Sequence, residues 1–212
     1  MALQRLEISI DDGHKDDIAI AELLEDYGLR GIFYVCPLAT LVPEMNSTQL
    51  KHIAEKHEIG GHTLTHALLT TKPKEVAMRE LLLGKQVLEH IIEKPVKRFA
   101  YTKGWFNPEV KEWVKEAGFE EARTIKLGVT SLKGYDPYEI PCTAHIYPRE
   151  EYKALGIVPS VLQLLEKAHQ EKEGYFHLVL HTAEIIKYDL WGELELILKV
   201  MAVRNQEMKK YV

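Results

Sequence analysis

Short, continuously apolar segments alternate along this chain with longer segments of helical periodicity. The first apolar segment, residues 6–10, is followed by residues 16–27, where apolar side chains recur at helical spacing. This alternation predicts a parallel sheet covered by helices, because strands that are apolar throughout fit burial on both faces. We therefore expect an α/β fold that forms a closed or nearly closed (β/α) barrel of six or seven units. A doubly wound open sheet stays open as the alternative, although no glycine-rich phosphate-binding loop follows a strand.

The same alternation continues to the end of the chain, with no internal repeat and no glycine-, serine- or proline-rich linker. It predicts a single domain over residues 1–212. Residues 126–155 are expected to be irregular, because three prolines interrupt short β-like pieces there. The expected strands are residues 6–10, 31–36, 58–61, 96–101, 119–125 and 175–180, and the expected helices are residues 16–27, 46–56, 73–93, 107–118, 159–173 and 190–208.

The composition limits the classes of protein to which the chain can belong. A chain of 212 residues buries enough surface to fold without disulfides or a structural metal, so we expect any metal here to be functional. The net charge of −5 argues against a nucleic-acid-binding protein, since such domains are usually basic. Cys36 and Cys142 lie far apart without a C-x-x-C motif, which predicts two reduced thiols.

Membrane insertion is not expected either. The longest apolar stretch, from Gly31 to Val42, is interrupted by Pro37 and is shorter than the roughly 20 residues of a spanning helix. The first residues show no charged region followed by an apolar region and a cleavage site. We therefore expect a cytoplasmic protein.

Polar side chains follow three of the expected strands at the point where each strand ends. Asp11 and Asp12 end the first strand, His62 and His66 follow the third, and His181 follows the last. Because catalytic groups of parallel α/β folds lie at the carboxyl ends of strands, we expect these side chains to meet at one rim.

The segment H-T-L-T-H at residues 62–66 is a candidate metal-binding motif. Two imidazoles four residues apart in a helical turn can bind one ion, with Asp12 as a third ligand and open positions for water and substrate. The H-x-x-x-H pattern alone is weak evidence for metal binding. In a chain with ten histidines, roughly 0.5 such pairs are expected by chance. His177 and His181 form a second pair, in which His177 lies near the start of a strand and is expected to be structural.

The adjacent aspartates at the end of the first strand can divide two roles. Asp12 can bind a cation while Asp11 stays unligated and accepts a proton from metal-bound water. The alternative role for Asp11 and Asp12 is helix capping. We expect that role for Asp16 and Asp17, which lie at the start of the following helix.

Four segments carry a further signal: S-I-D-D-G at residues 9–13, H-T-x-x-H at 62–66, R-F-A-Y-T-K-G at 98–104 and L-H at 180–181. Together they resemble successive motifs of the polysaccharide deacetylase family, the NodB-homology enzymes of carbohydrate esterase family 4. The resemblance extends over nearly the whole chain and implies a distorted (β/α) barrel with seven strands. It also implies a hydrolase that removes N-acetyl groups from amino sugars, or O-acetyl groups, with one divalent ion. Zinc is the expected metal, with cobalt, manganese or nickel as alternatives.

The resemblance also implies roles for individual residues. Asp11 would be the catalytic base, His181 the general acid, and Arg98 the group that orients the base and keeps it ionised. Asp12, His62 and His66 would hold the metal ion.

Substrate contacts are expected from Tyr101, Thr102 and Lys103, whose loop can supply backbone N–H donors to an oxyanion, and from Trp191, which can stack on a sugar ring. Lys103 as a solvated side chain and Trp191 as a core residue are the alternatives.

Two of the motifs depart from the family pattern. Thr102 and Lys103 replace the usual proline and aromatic residue of the third motif. The aspartate-tryptophan element that tunes the acid histidine is not evident, and Asp136 or Glu184 are the candidates to replace it.

Two other functions remain alternatives at this point. One is a metal-independent hydrolase of cyclic ureides with the same fold, against which Asp12, His62 and His66 argue. The other is a barrel that binds a carbohydrate or a protein without turnover. A small-molecule or oligosaccharide substrate is the expected partner, and the sequence leaves the oligomeric state open.

Overall fold

The computed structural model of the chain describes residues 3–39 and 44–209. Seven parallel strands form one curved sheet in the order β5-β4-β3-β2-β1-β7-β6. This arrangement confirms the expected α/β class and the distorted (β/α) barrel. The strands are β1 (Arg5–Asp12), β2 (Ile32–Val35), β3 (Glu58–Gly61), β4 (Arg98–Ala100), β5 (Glu121–Arg123), β6 (Ala144–His145) and β7 (Tyr175–Leu180).

Seven helices are described, and several begin at residues whose side chains favour a helix start. The predicted capping box is present at α2, where Asn46 Oδ1 accepts from the Gln49 N–H and Gln49 Oε1 accepts from the Asn46 N–H. Asn107 caps α4 ahead of Pro108. None of the described helices is long and apolar enough to cross a bilayer. The helices are α1 (Asp17–Asp26), α2 (Ser47–Lys56), α3 (Lys74–Ile92), α4 (Pro108–Glu116), α5 (Ile157–Gln170), α6 (Thr182–Tyr188) and α7 (Trp191–Lys209).

Strand β1 lies in the middle of the sheet and pairs on both sides. Asp11 is opposite Tyr34 of β2, and Ile10 is opposite Leu180 of β7. The side chains of β2 and β7 are buried along their whole length. Apolar side chains from the strands and from the inner faces of the helices form the main core. Because the strands are parallel, their carboxyl ends meet at one edge, as the sequence predicts for the site.

The two edges of the sheet approach each other through the segment that was expected to be irregular. Ile140 forms a parallel bridge with Arg123 at the end of β5, and four residues later Ala144 pairs with Leu178 of β7. The chain therefore passes from one edge strand to the other, which gives a nearly closed barrel.

Two expectations at the start of α1 are wrong. Asp16 occupies the cap position but makes no capping hydrogen bond with its side chain. Asp17 is fully buried, and its Oδ1 accepts a hydrogen bond of 2.5 Å from the hydroxyl of Thr182 at the start of α6. Asp17 thus connects two helices instead of capping its own.

Candidate metal and catalytic site

Three potential metal ligands converge at the carboxyl edge of the sheet. The Nε2 atom of His62 lies 3.6 Å and that of His66 lies 3.4 Å from Oδ1 of Asp12. The three ligand atoms all lie within 4.8 Å of one another. The structure therefore brings together the two imidazoles and the carboxylate that the sequence singled out.

The donor set at this group fits a divalent ion. Nδ1 of His62 is 2.7 Å from the Ala100 carbonyl oxygen. A carbonyl oxygen only accepts, so Nδ1 carries the proton and Nε2 presents a lone pair, as in metal-binding histidines. Oδ1 of Asp12 is buried without a hydrogen-bond partner, and a bound cation would remove that penalty.

The segment that carries the histidines is a loop and not the helical turn on which the motif was argued. Thr63 and His66 both have positive φ, at 66° and 63°. The Glu80 carboxylate, from α3, accepts hydrogen bonds from the N–H groups of Leu64 and Thr65 and from the Thr65 hydroxyl. The two imidazoles therefore converge through loop geometry that Glu80 holds in place.

Asp11 lies next to this group but has a different partner. Its side chain is buried, Oδ2 is paired with the Arg123 guanidinium, and Oδ1 has no hydrogen-bond partner. Burial alone would raise the pKa of Asp11, but the charges of Arg123 and His181 hold that pKa well below its usual range. The structure thus presents an ionised carboxylate with one uncommitted oxygen.

Arg98, which was expected to orient Asp11, lies elsewhere and that expectation is wrong. Its guanidinium pairs with Glu7 and is 3.1 Å from Glu58. Arg98 begins β4 and so lies at the amino edge of the sheet, whereas Arg123 ends β5 at the carboxyl edge. Position within the strand was the sequence signal that could have identified Arg123.

His181 lies on the other side of Asp11, with Glu184 and His145 behind it. Nε2 of His181 is 3.8 Å from Asp11 Oδ2, and Nδ1 is 3.2 Å from Glu184 Oε2. Nε2 of His145 is 2.7 Å from the same Glu184 oxygen. Glu184 is therefore the carboxylate beside His181, whereas Asp136 pairs with Lys111.

The charges in this cluster keep His181 protonated. Burial would lower its pKa, but the hydrogen bond to Glu184 and the charges of Asp11 and Asp12 raise that pKa to about 9. Burial would raise the pKa of Glu184, whereas hydrogen bonds from His145 and His181 lower it to about 2. Burial first, and then the neighbouring His181 charge, lower the pKa of His145. At neutral pH the cluster holds an imidazolium, a carboxylate and a neutral imidazole.

His177, the other half of the second histidine pair, is structural in position. It is buried, with Nδ1 2.8 Å from the Tyr175 hydroxyl and Nε2 2.8 Å from the Ser9 hydroxyl. Burial lowers its pKa to about 4, so the ring is neutral.

The loop after β4, which begins at Tyr101, can contribute backbone groups to the candidate site more readily than side chains. The Tyr101 side chain is buried and its hydroxyl donates to the Tyr138 carbonyl, so it is unsuited to contact substrate. The Tyr101 N–H donates to the Arg123 carbonyl. Thr102 is buried, while Lys103 is exposed and has a φ of 54°.

Trp191 begins α7 and is partly buried against the main core. This contact corresponds to the core alternative for that side chain, and stacking on a sugar ring stays a prediction.

Comparisons with known proteins agree with this architecture. The family model described as polysaccharide deacetylase matches residues 4–122. A peptidoglycan-N-acetylglucosamine deacetylase from Bacillus cereus is 27% identical over 118 residues, which are 54% of this chain and 54% of that protein. The matched part thus spans about half the length of that relative.

Similar solved structures are more distant in sequence and show the fold. A family 4 carbohydrate esterase from Streptomyces lividans, in complex with acetate, has a TM-score of 0.62 at 10% identity over 96% of this chain and 88% of its own. A CE4 family pseudoenzyme from Bacillus anthracis has a TM-score of 0.61 at 16% identity over 98% of this chain and 61% of its own.

Proposed function

Because the chain belongs to the polysaccharide deacetylase family, we propose that it is a metal-dependent hydrolase of acetyl groups on an N-acetylated or O-acetylated sugar, or on a related small amide. One observation carries the proposal. The ligand group of Asp12, His62 and His66 lies beside Asp11, which is ionised and has an uncommitted oxygen.

Asp12, His62 and His66 would hold one divalent ion. Two imidazoles and a carboxylate suit zinc, with cobalt, manganese or nickel as alternatives. When bound, such an ion supplies Lewis acidity, which polarises an acyl carbonyl and lowers the pKa of a water molecule. The partnerless Oδ1 of Asp12 favours this reading over the metal-independent ureide hydrolase, in which that buried oxygen would stay unsatisfied.

Asp11 would act as the general base. Arg123 occupies Oδ2, which orients the carboxylate and leaves Oδ1 to accept the proton of the attacking water. Arg123 is buried against Asp11, so the pair keeps its geometry without solvent screening. In this role Arg123 is a positioning residue and takes the place that was expected for Arg98.

His181 would act as the general acid. Its Nδ1–H donates to Glu184, so the proton on Nε2 is the one available to the leaving amine or alcohol. A pKa near 9 keeps this proton in place at neutral pH.

The tetrahedral intermediate also needs donors for its oxyanion, and the loop after β4 is the source we propose. Within the described residues, the N–H groups of Tyr101, Gly104 and Trp105 already donate to carbonyls. The N–H groups of Thr102 and Lys103 are left as donors. Burial lowers the pKa of His66, and Lys103 lies close enough to His66 for its charge to lower that pKa further.

Release of acetate tests the proposed function. We expect the protein to release acetate from N-acetylglucosamine oligomers or acetylated monosaccharides when it is supplied with zinc, cobalt or manganese. Asp11→Asn should lower turnover by about 10²- to 10⁴-fold without loss of bound metal. The matched control is Asp16→Asn, at an exposed aspartate four residues from Asp12, which should keep wild-type turnover.

Two results would favour the alternatives. Turnover that survives removal of the metal would favour the metal-independent hydrolase. Metal binding without turnover on any acetylated sugar would favour a carbohydrate- or protein-binding barrel. The cytoplasmic location and the single domain over residues 1–212 stay predictions.

A further inference from the structure

A second group of potential metal ligands comes from strand β6, from the residue that follows strand β7, and from helix α6. Its atoms are Nε2 of His145, Nδ1 of His181 and Oε2 of Glu184, separated pairwise by 2.7, 3.2 and 3.2 Å. The group shares no residue with Asp12, His62 and His66.

These separations are close to what a cation requires. Zinc bonds of about 2.0–2.2 Å place ligand atoms roughly 3.3–3.6 Å apart in a tetrahedron. Outward movements of a few tenths of an ångström would therefore admit an ion between the three atoms. Two histidines and one glutamate are also a known ligand set of zinc enzymes.

Secondary structure holds the three side chains in place. His145 lies in β6, where its ring stacks on Tyr147 with centroids 5.6 Å apart. His181 directly follows β7 at the N-cap position of α6, and Glu184 lies in the first turn of α6. An ion bound at Nδ1 of His181 would displace the Nδ1 proton to solvent, and the remaining Nε2–H would face the Asp11 carboxylate, whose Oδ2 is 3.8 Å away.

Arg149 lowers the expected cation affinity of this second group relative to that of the first group. Its guanidinium lies 3.5 Å from Nδ1 of His145. When Nε2 binds a cation, the proton of that ring moves to Nδ1 and faces a positive charge. Nδ1 of His62 instead faces the Ala100 carbonyl oxygen, which accepts the Nδ1 proton when Nε2 binds a cation.

We propose that His145, His181 and Glu184 form a second, weaker divalent-cation site, and that an ion bound there inhibits the enzyme. Binding at this site follows from the ligand geometry alone. The inhibition rests on the proposed function, because it requires His181 to be the proton donor. An imidazole bound through Nδ1 holds its Nε2 proton far more tightly than an imidazolium does, so it is a much poorer acid.

The number of bound ions tests the site without reference to activity. In equilibrium dialysis against zinc up to roughly 1 mM, wild type should bind two ions of different affinity. His145→Gln should bind one, whereas His52→Gln, which changes an exposed histidine on α2, should still bind two. His62→Ala should lose the tighter ion and keep the weaker one.

Inhibition by zinc tests the consequence. Each variant is compared with its own rate at one equivalent of zinc, so a change in basal activity does not affect the result. His145→Gln should raise the zinc concentration that halves the rate by about tenfold or more. Arg149→Gln should lower that concentration, because an amide oxygen can accept from the protonated Nδ1.

Two results overturn the proposal: a wild type that binds a single ion over the whole range, or a His145→Gln variant that binds as many ions as His52→Gln. If His145→Gln does not fold, the wild-type number of ions and the Arg149→Gln shift still decide. Failure of the proposed function would give a different result from failure of the second site. The protein would then still bind the weaker ion but would show no turnover.

Discussion

Arg98 and Arg123 lie on neighbouring strands and serve opposite ends of the barrel. Arg98 pairs with Glu7 at the amino edge, and Arg123 pairs with Asp11 at the carboxyl edge. Both contacts are salt bridges of a buried carboxylate, but only the Arg123–Asp11 pair lies beside Asp12, His62 and His66. Substitution of Arg98 should therefore affect stability, whereas substitution of Arg123 should affect the proposed catalytic base.

Arg123→Lys and Arg98→Lys form a matched pair of substitutions. We expect Arg123→Lys to lower kcat/KM at least about tenfold and to shift the acid limb of the pH profile upward, because Asp11 loses a bidentate-capable partner that lowers its pKa. Arg98→Lys should change stability by about 1–3 kcal/mol and leave that limb in place. Equal effects on the pH profile would refute the assignment of Arg123.

Glu184 sets the upper end of the pH range in this account. It holds the pKa of His181 at about 9, so the proton donor is lost only as pH rises through that value. Glu184→Gln removes the charge and leaves the burial that lowers this pKa, and the basic limb of kcat should move down by at least about one pH unit. An unchanged basic limb in steady-state rates from pH 6 to 10 would show that His181 is not tuned by Glu184.

The same interaction has a consequence for folding. Because the folded-state pKa of His181 is above its ordinary 6.5, its contribution to stability is full below that pH and disappears as pH rises through about 9.

At the scale of elements, the contact between α1 and α6 positions the end of β7. Asp17 accepts from Thr182, which directly follows His181. Burial, and then the charges of Asp12 and Asp11, raise the pKa of Asp17 well above its usual range. The folded protein therefore binds this proton more tightly than the unfolded chain, and the free energy of unfolding falls as pH rises above about 4.

Substitutions at this contact should act in opposite directions. Asp17→Asn keeps the acceptor for Thr182 and removes the ionisation penalty, so it should be at least as stable as wild type at pH 8 and less dependent on pH. Thr182→Val removes the donor and should destabilise the protein by about 1–3 kcal/mol. Urea unfolding at pH 5 and pH 8 measures both, and an Asn variant that is markedly less stable at pH 8 would be inconsistent with a protonated Asp17.

Periodicity predicted the long elements well and the short ones poorly. Helices such as α2 and α3 have two or more turns of apolar spacing, whereas α6 has seven residues and β6 only two. Periodicity could not predict the loop geometry of residues 62–66 either, because Thr63 and His66 have positive φ and the two residues between them hydrogen-bond to the distant Glu80. The candidate metal ligands could still be identified, because the ends of strands are visible in the sequence.

At the scale of the whole molecule, the barrel is closed by pairing between distant parts of the chain. Ile140 joins β5 while Ala144 joins β7, and neither contact has a local sequence signal. The same closure brings His145 to His181 and Glu184. For this reason the sequence identified the candidate acid His181 but left its carboxylate partner open between Glu184 and Asp136.

An anomalous difference map from crystals loaded with one equivalent of zinc shows directly whether Asp12, His62 and His66 bind the metal ion. We expect one strong peak within bonding distance of Asp12, His62 and His66, with Asp11 near the ion but not bonded to it. A map without a peak between these three side chains, or with Asp11 as a direct ligand, would contradict this prediction.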